Sequence, residues 1–214
     1  MSGEASRVLI VDDHPIVRRG LIELIEQESD LEVVGEAGDS ASALSAIEML
    51  APDVVIVDLM LKGSNGIDLI KELKAQNRDV RILVVSMHDE AIYAERALRA
   101  GGHGYIMKQE ATNEVLTALR RVLAGDVYVS TEMVRKILLR MVGAGPGEGI
   151  ERLSDRELEV FQWIGRGLAV AEIAEKLKVS PKTVETYRSH IKEKLGLGSA
   201  TEVLRVAVSW LEGS

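Results

Sequence analysis

Five short runs of apolar, mostly β-branched residues recur along the first half of the chain. Polar residues bound each run, which is typical of a strand buried on both faces of a parallel sheet. The predicted strands are Arg7–Val11, Glu32–Glu36, Val54–Val57, Arg81–Val85 and Gly104–Met107.

Segments with helical periodicity separate these strands and follow the last one. The predicted helices are Pro15–Glu28, Ser40–Leu50, Gly66–Gln76, Glu90–Ala100 and Thr112–Ala124. Strands that alternate with helices in this way predict an α/β domain with a doubly wound, five-stranded parallel sheet of the flavodoxin type. A sixth helix is predicted at about Ser130–Val142.

The last third of the chain has helical periodicity without a strand pattern. Ser154 and Glu157 have the spacing of a capping box, and so do Ser199 and Glu202. Ser180 precedes a proline, which favours the first position of a helix. In chain order, the predicted helices begin near Ser154, Val170, Ser180 and Ser199. Together they predict an all-α, four-helix domain.

A glycine-rich stretch divides the two regions. Residues 143–149 contain four glycines and a proline, a composition that cannot sustain a helix or a strand. We therefore predict three parts: one domain over residues 1–126, a linker helix and glycine-rich linker over 127–150, and a second domain over 151–214.

Composition narrows the class of protein. The chain has 214 residues, 46% of them hydrophobic, and no cysteine, which excludes disulfides and thiolate metal sites. No apolar run approaches the roughly 20 residues of a membrane-spanning helix, and the first residues lack the apolar core of a signal peptide. These features predict a cytoplasmic protein that does not act on membranes.

Charge is unevenly distributed along the chain. Residues 1–142 carry 16 basic and 23 acidic side chains, whereas residues 143–214 carry 10 and 11. Within the second region, Lys176–Leu195 contains six basic residues against two acidic ones. A local basic patch on an acidic protein indicates contact with a nucleic-acid backbone.

Polar residues end four of the predicted strands. Asp12 and Asp13 follow the first strand, Asp58 the third, Ser86 the fourth and Lys108 the fifth. The carboxyl ends of parallel strands share one edge of the sheet, where ligands bind. Three crowded carboxylates favour a hard cation such as Mg²⁺. One of them can attack phosphorus to form an aspartyl phosphate, and Asp58 is the predicted nucleophile because it ends a central strand alone.

These residues stand within longer motifs. The motifs are Val11-Asp12-Asp13-His14-Pro15, Val57-Asp58-Leu59, Val85-Ser86-Met87 and Gly104-Tyr105-Ile106-Met107-Lys108. Over about Arg7–Gly125 they resemble the receiver domain of two-component response regulators, which implies a CheY-like fold. The resemblance also implies that a sensor histidine kinase phosphorylates Asp58.

The resemblance assigns further roles within the receiver. The implied ligands of Mg²⁺ are Asp12, Asp13, Asp58 and the backbone carbonyl of Met60. The implied catalytic and switch residues beside the phosphoacceptor are Ser86, Tyr105 and Lys108. Leu61-Lys62 stands where the family often has Met-Pro, which predicts a less rigid loop over Leu59–Asn65. Met60 and His88 occupy positions that tune the phosphoryl lifetime in the family.

The last third has the pattern of a helix-turn-helix, whose second helix enters the major groove of double-stranded DNA. The predicted DNA contacts on that helix are Lys182, Thr183, Glu185, Thr186, Arg188, Ser189 and Lys192. Val184, Ile191 and Leu195 are predicted to face the core of the domain.

Three motifs extend this interpretation: Leu153-Ser154-Asp155-Arg156-Glu157-Leu158-Glu159-Val160, Glu172-Ile173-Ala174 and Ser180-Pro181-Lys182-Thr183-Val184-Glu185. Over about Arg152–Val208 they resemble the LuxR-type helix-turn-helix of the NarL/FixJ response regulators. Ala169 stands where that family commonly has a capping residue, so a weaker helix cap is predicted there.

The leading prediction is a transcription regulator, not an enzyme, in which phosphorylation of Asp58 promotes homodimerisation and release of the DNA-binding domain. One alternative is a phosphatase with an aspartyl-phosphate intermediate, which needs an acidic residue where this chain has Met60. A second alternative is a receiver that acts only as an unphosphorylated interaction module. Such receivers typically lack one of the residues that correspond to Asp58, Ser86 and Lys108, and all three are present here.

Overall fold

The computed structural model describes residues 5–61, 64–76, 79–87, 90–141 and 149–212. The chain falls into two compact units, Met1–Gly143 and Ala144–Ser214. Residues 142–148, which make up most of the predicted glycine-rich linker, lie outside the described residues, as do Lys62 and His88. Within the described ranges, no helix is long and apolar enough to cross a membrane.

A parallel sheet forms the centre of the first unit. Its strands and a short hairpin are β1 (Ser6–Val11), β2 (Leu31–Ala37), β3 (Val54–Val57), β4 (Met60–Leu61), β5 (Ser64–Asn65), β6 (Arg81–Ser86) and β7 (Gly104–Met107). Five of them are hydrogen-bonded in the order β2–β1–β3–β6–β7, all parallel, which confirms the predicted sheet. β4 and β5 pair antiparallel in the segment that was predicted to be a loop.

Helices alternate with these strands. They are α1 (Pro15–Ile25), α2 (Ser40–Leu50), α3 (Gly66–Ala75), α4 (Glu90–Ala100), α5 (Ala111–Leu123) and α6 (Thr131–Met141). The predicted end of α1 at Glu28 was wrong: the helix ends at Ile25. The Gln27 side-chain amide there donates to the Glu23 carbonyl, and the Glu28 carboxylate turns toward Arg120.

The core of the first unit fixes the positions of the strand ends. Val8, Ile10 and Ile56 of the sheet are at most 1% exposed, and Val115 and Leu119 of α5 are fully buried against them. Each such side chain contributes about 1.5–3 kcal/mol through the hydrophobic effect. The strands therefore hold whatever follows their last residues in a defined place.

The second unit is all-helical, as predicted. A short 3₁₀ helix (Ile150–Arg152) precedes α7 (Asp155–Gly165), α8 (Val170–Leu177), α9 (Pro181–Lys194) and α10 (Ala200–Glu212). The buried side chains of its core include Leu158, Phe161, Ile173, Val184 and Ile191. Leu195, which was predicted to face this core, is only half-buried.

Side-chain caps define the helix ends of the second unit. Both predicted capping boxes are present, with Ser154 paired to Glu157 and Ser199 paired to Glu202. At α8 the Ala169 side chain makes no capping bond, and only the Glu172 carboxylate accepts from the Ala169 N–H, at 2.7 Å. The predicted weaker cap at this helix is therefore confirmed.

Candidate functional site

Strand ends bring an ammonium group and two carboxylates together in the first unit. Asp12 follows β1 and Asp58 follows the adjacent strand β3. Lys108 follows β7, and its Nζ lies 2.6 Å from both Asp12 Oδ2 and Asp58 Oδ2. The three side chains are only 3–7% exposed, and Ser86, at the end of β6, is fully buried. Removal of one partner from such a buried ion pair is costly, because it leaves the other charge uncompensated.

Burial dominates the electrostatics of Asp58. Removal from water raises the pKa of this carboxyl group and Asp12 adds to the rise, whereas Lys108 opposes it without cancelling it. Burial alone would lower the pKa of Lys108, but the carboxylates of Asp58 and Asp12 outweigh this, so its pKa is raised. Lys108 therefore stays charged. A second positive charge nearby would reduce the free-energy cost of ionising Asp58.

His14 adds an imidazole to this acidic edge, a role that sequence reasoning missed. Its Nδ1 lies 2.7 Å from Asp13 Oδ1 and 3.2 Å from Asp12 Oδ1. Its backbone N–H also donates to Asp12 Oδ1, at 2.8 Å. The only signal in the sequence was that His14 directly follows the two aspartates, just before a helix begins.

The donor set at this edge fits a divalent cation. Asp12, Asp13, His14 and Asp58 each offer one ligand atom, and these atoms lie within 4.8 Å of one another. Carboxylate oxygens are the ligands that Mg²⁺ prefers. The Lys108 ammonium group already lies between the carboxylates of Asp12 and Asp58, so this edge accommodates a positive charge. Met60, whose carbonyl is a predicted ligand, lies beside Asp58 and donates its N–H to Asp58 Oδ1 at 3.3 Å.

The backbone next to Asp58 is packed against a glycine. Gly66 begins α3, and its N–H donates to the Leu59 carbonyl oxygen at 2.8 Å. A Cβ at residue 66 would lie 2.2 Å from the Asp58 carbonyl oxygen and 2.8 Å from Leu59 Cα. Any side chain at this position would therefore displace the backbone that carries the predicted nucleophile.

The segment after α5 is hydrogen-bonded to two neighbouring elements. The N–H of Tyr105, a predicted switch residue that is 1% exposed, donates to the Tyr128 carbonyl oxygen at 2.7 Å. Tyr128 in turn donates its N–H to the His103 carbonyl oxygen at 3.0 Å, so this segment lies along β7. Ser130 donates its N–H to Oε1 of Glu90, the first residue of α4, at 2.7 Å. The start of α6 is thus tied to β7 and to the helix that follows β6.

The predicted DNA contacts all lie on α9, but they differ in exposure. The exposed residues are Lys182, Glu185, Thr186, Ser189 and Lys192. Thr183 and Arg188 are half-buried. The Thr183 hydroxyl lies 2.8 Å from the Ser180 hydroxyl, and Arg188 Nη1 donates to Glu185 Oε1 at 2.9 Å. The freely exposed face of α9 is therefore narrower than the predicted set of seven residues.

A buried carboxylate anchors the end of α9. Glu157 is 3% exposed, accepts from Lys194 Nζ at 2.6 Å and from the Ser154 N–H at 2.7 Å, and lies 3.4 Å from His190 Nδ1. Burial would raise the pKa of Glu157, but the hydrogen bonds from Lys194 and Ser154 hold it below its usual value. Sequence reasoning found the capping box and missed the bond to Lys194.

A second basic residue of Lys176–Leu195 is also engaged within its own unit. Lys176 Nζ lies 4.9 Å from the centroid of the Trp163 ring, which Arg166 also approaches at 4.7 Å. Lys176 and Lys194, although exposed, therefore already have partners within the second unit.

Two protein families match the chain. Residues 8–120 match the family described as response regulator receiver domain. Residues 151–207 match the family described as bacterial regulatory proteins, luxR family. These families are transcription regulators, not enzymes, and their order along the chain agrees with the two folds described above.

Individual proteins are similar over nearly the whole chain. The Fimbriae Z protein of Salmonella typhimurium is 35% identical over 202 residues, which cover 94% of this chain and 96% of that protein. The response regulator UvrY of Escherichia coli is 33% identical over 202 residues, with 94% and 93% covered.

A solved structure extends this similarity to the fold. The structure is that of RcsB from Salmonella enterica serovar Typhimurium, bound to promoter P1flhDC in the presence of the phosphomimetic BeF₃⁻. RcsB is 33% identical in sequence, and its structure matches with a TM-score of 0.65 over 96% of this chain and 100% of that chain. The chain therefore belongs to the NarL/FixJ family of response regulators, in which a receiver domain precedes a LuxR-type DNA-binding domain.

Proposed function

We propose that this regulator is activated when a sensor histidine kinase transfers a phosphoryl group to Asp58. The observation that carries the proposal is the shared ion pair at the acidic edge, where one buried ammonium, Lys108, lies 2.6 Å from both Asp12 and Asp58. A buried ionisable group with a charge partner and a shifted pKa, such as Asp58, is a candidate functional residue. Here a third carboxylate, Asp13, lies beside the other two.

In the proposed reaction, an Asp58 carboxylate oxygen bonds to phosphorus as the bond between phosphorus and the kinase histidine nitrogen breaks. The product carries about −1.5 to −2 charge, which the ammonium of Lys108 offsets because its raised pKa keeps it protonated. Ser86 donates its hydroxyl to a phosphoryl oxygen. Bound Mg²⁺ would supply further charge neutralisation, held by Asp12, Asp13, Asp58 and the Met60 carbonyl.

Phosphorylation then promotes homodimerisation and frees the DNA-binding domain. Ser86 and Lys108 move toward the phosphoryl group and Tyr105 rotates, which biases a two-state face of the receiver. The bonds that tie Tyr128 to β7 and Ser130 to α4 support this route, because they join the start of α6 to the strand that carries Tyr105 and to the helix that follows Ser86.

The DNA partner follows from the second unit. RcsB was solved bound to a promoter, which supports DNA as the partner. A helix-turn-helix places its second helix, here α9, in the major groove. Lys182, Arg188 and Lys192 contact phosphates, whereas Glu185 and Thr186 are placed to contact bases. Thr183 and Ser189 lie beside them on the same helix. A dimer on two half-sites supplies the contacts that one small domain lacks.

Intact-mass measurement after incubation with acetyl phosphate and Mg²⁺ tests the phosphoacceptor. The wild type should gain the mass of one phosphoryl group, and Asp58→Asn should gain none. Asp126→Asn, which changes an exposed aspartate, is the matched control and should label like the wild type. Full labelling of Asp58→Asn would refute the assignment, and a wild type that never labels would favour the interaction-module alternative.

Light scattering and DNA binding test the output. Phosphorylated wild type should have about twice the mass of the unphosphorylated form and should bind its operator more tightly. One mass and one DNA affinity for both forms would contradict the proposed switch while leaving the phosphoacceptor assignment intact.

A further inference from the structure

Arg18 connects three elements directly behind the acidic edge. Its side chain lies on α1 and is 15% exposed. Nη1 donates to the Asp12 carbonyl oxygen at 2.7 Å, and Nε donates to Glu36 Oε2, near the end of β2, at 2.8 Å. The Asp12 N–H donates to the Ala37 carbonyl oxygen of β2 at 3.1 Å. Both backbone polar groups of Asp12 are therefore held from the β2 side of the site.

The carbonyl group that Arg18 binds belongs to the peptide unit between Asp12 and Asp13. The orientation of that planar unit determines the directions in which both aspartate side chains leave the backbone. A planar guanidinium bonded through two different nitrogens is also a rigid support, because its donors have a fixed geometry. Glu36 anchors this support to the sheet.

We propose that Arg18 is a positioning residue that holds the Asp12–Asp13 peptide and so sets the affinity of the acidic edge for Mg²⁺. The inference rests on the proposed function of this site as a Mg²⁺-dependent phosphoacceptor. Arg18 lies outside the proposed ligand set of the cation. It acts through Asp12 and Asp13, as residues outside the ligand set of a metal site do.

Arg18→Gln should weaken cation binding by about tenfold or more, the usual effect of removing such a support. Arg18→Lys keeps the charge but can reach only one of the two partners, so its affinity should lie between those of Arg18→Gln and the wild type. The matched control is Arg19→Gln, which removes the same charge from the next residue. Arg19 is 83% exposed and pairs with Glu23 instead, so this change should leave the affinity within about twofold of wild type, as expected for an exposed pair.

Two readouts separate positioning from general damage to the fold. Binding of Mn²⁺, followed by electron paramagnetic resonance and displaced with Mg²⁺, gives the cation affinity without any phosphoryl transfer. The rate of labelling by acetyl phosphate is then measured across Mg²⁺ concentrations. A positioning role raises the half-saturating Mg²⁺ concentration of Arg18→Gln and leaves the rate at saturating Mg²⁺ nearly unchanged, whereas damage to the fold lowers the saturating rate.

The outcomes distinguish this inference from the proposed function. If the wild type binds cation and labels at Asp58 but Arg18→Gln binds cation equally well, the role of Arg18 is refuted and the phosphoacceptor stands. If the wild type neither binds cation nor labels, the proposed function fails first. Should Arg18→Gln not fold, Glu36→Ala removes only the anchor and must still weaken Mn²⁺ binding, so an unchanged affinity in that variant overturns the proposal.

Discussion

Lys108 and Arg188 each pair with a carboxylate, but the two pairs lie in different surroundings. Lys108 and Asp58 are 7% and 3% exposed, whereas Arg188 and Glu185 are 27% and 57% exposed. Water has little access to the receiver pair, so removing one partner would leave a buried charge unpaired. The pair on α9 can open toward a passing phosphate at little cost. The first pair is enclosed by its unit, whereas the second is open to solvent and to a binding partner.

Replacement of Lys108 or Arg188 by alanine should reveal this difference in the free energy of unfolding. Lys108→Ala leaves two buried carboxylates without their cation and should cost about 3 kcal/mol without Mg²⁺. Arg188→Ala should cost less than about 1 kcal/mol. Both tryptophans lie in the second unit, so fluorescence during urea unfolding follows Arg188→Ala, and circular dichroism of the whole chain follows Lys108→Ala. Equal losses would remove the distinction between the two pairs.

Gly66 gives a sterically defined test of the receiver side. Gly66→Ala should destabilise the receiver by about 1–3 kcal/mol and slow labelling of Asp58, because the new Cβ must displace the Asp58 carbonyl. Gly20→Ala on α1 is the control, since a Cβ there meets nothing within 4 Å. That change should stabilise the chain by up to about 1 kcal/mol. A stable, normally labelled Gly66→Ala would mean that the contact with Asp58 relaxes freely.

The two regions should respond to pH in opposite directions. The raised pKa of Asp58 gives stability that is present below the ordinary aspartate pKa of about 3.9 and is lost as pH rises through the raised value. The lowered pKa of Glu157 gives stability that is present above the ordinary glutamate pKa of about 4.3 and is lost as pH falls through the lowered value.

Stability differences between each wild-type and variant pair isolate these groups. Relative to Asp58→Asn, the wild type should lose stability as pH rises above about 3.9 in buffer without divalent cations. Relative to Glu157→Gln, it should lose stability as pH falls below about 4.3. Thermal unfolding across this pH range checks both differences. A pH trend of the same sign in both pairs would contradict the assigned causes.

The smallest expected effect concerns DNA. Lys182→Ala and Lys192→Ala should each flatten the dependence of binding on salt by about 0.9 in log–log slope, because each exposed cation displaces one counterion from DNA. Lys194→Ala should change this slope little, since Glu157 already holds that ammonium at 2.6 Å. Fluorescence anisotropy on specific and scrambled duplexes measures the slopes. A large slope change for Lys194 with none for Lys182 would move the DNA-contacting face elsewhere on the domain.

The sequence predicted the parts of this molecule that depend on backbone periodicity. The strands Val54–Val57 and Gly104–Met107 have the predicted bounds, since apolar spacing and turn residues determine both. The meeting of Asp12, Asp58 and Lys108 was also predictable, because parallel strands deliver their carboxyl ends to one edge of the sheet.

The sequence did not predict side-chain bonds between distant elements. The bond from Arg18 to the Asp12 carbonyl and the bond from Lys194 to Glu157 depend on how packed helices are rotated, which the spacing of polar residues does not specify. Trp163 shows the same limit. Its ring is partly exposed and lies against Arg166 and Lys176, contacts that the apolar spacing of the helix does not specify.

The short stretch from Tyr128 to Ser130 matters to anyone who exchanges halves between related regulators. A fusion cut at residue 126 would replace the carbonyl that accepts from the Tyr105 N–H and the N–H that bonds to Glu90. The receiver would then have a segment of the other regulator packed against its own β7 and α4. A chimera joined after Met141 keeps both bonds and the first unit through the end of α6, so the receiver is transplanted together with its own α6.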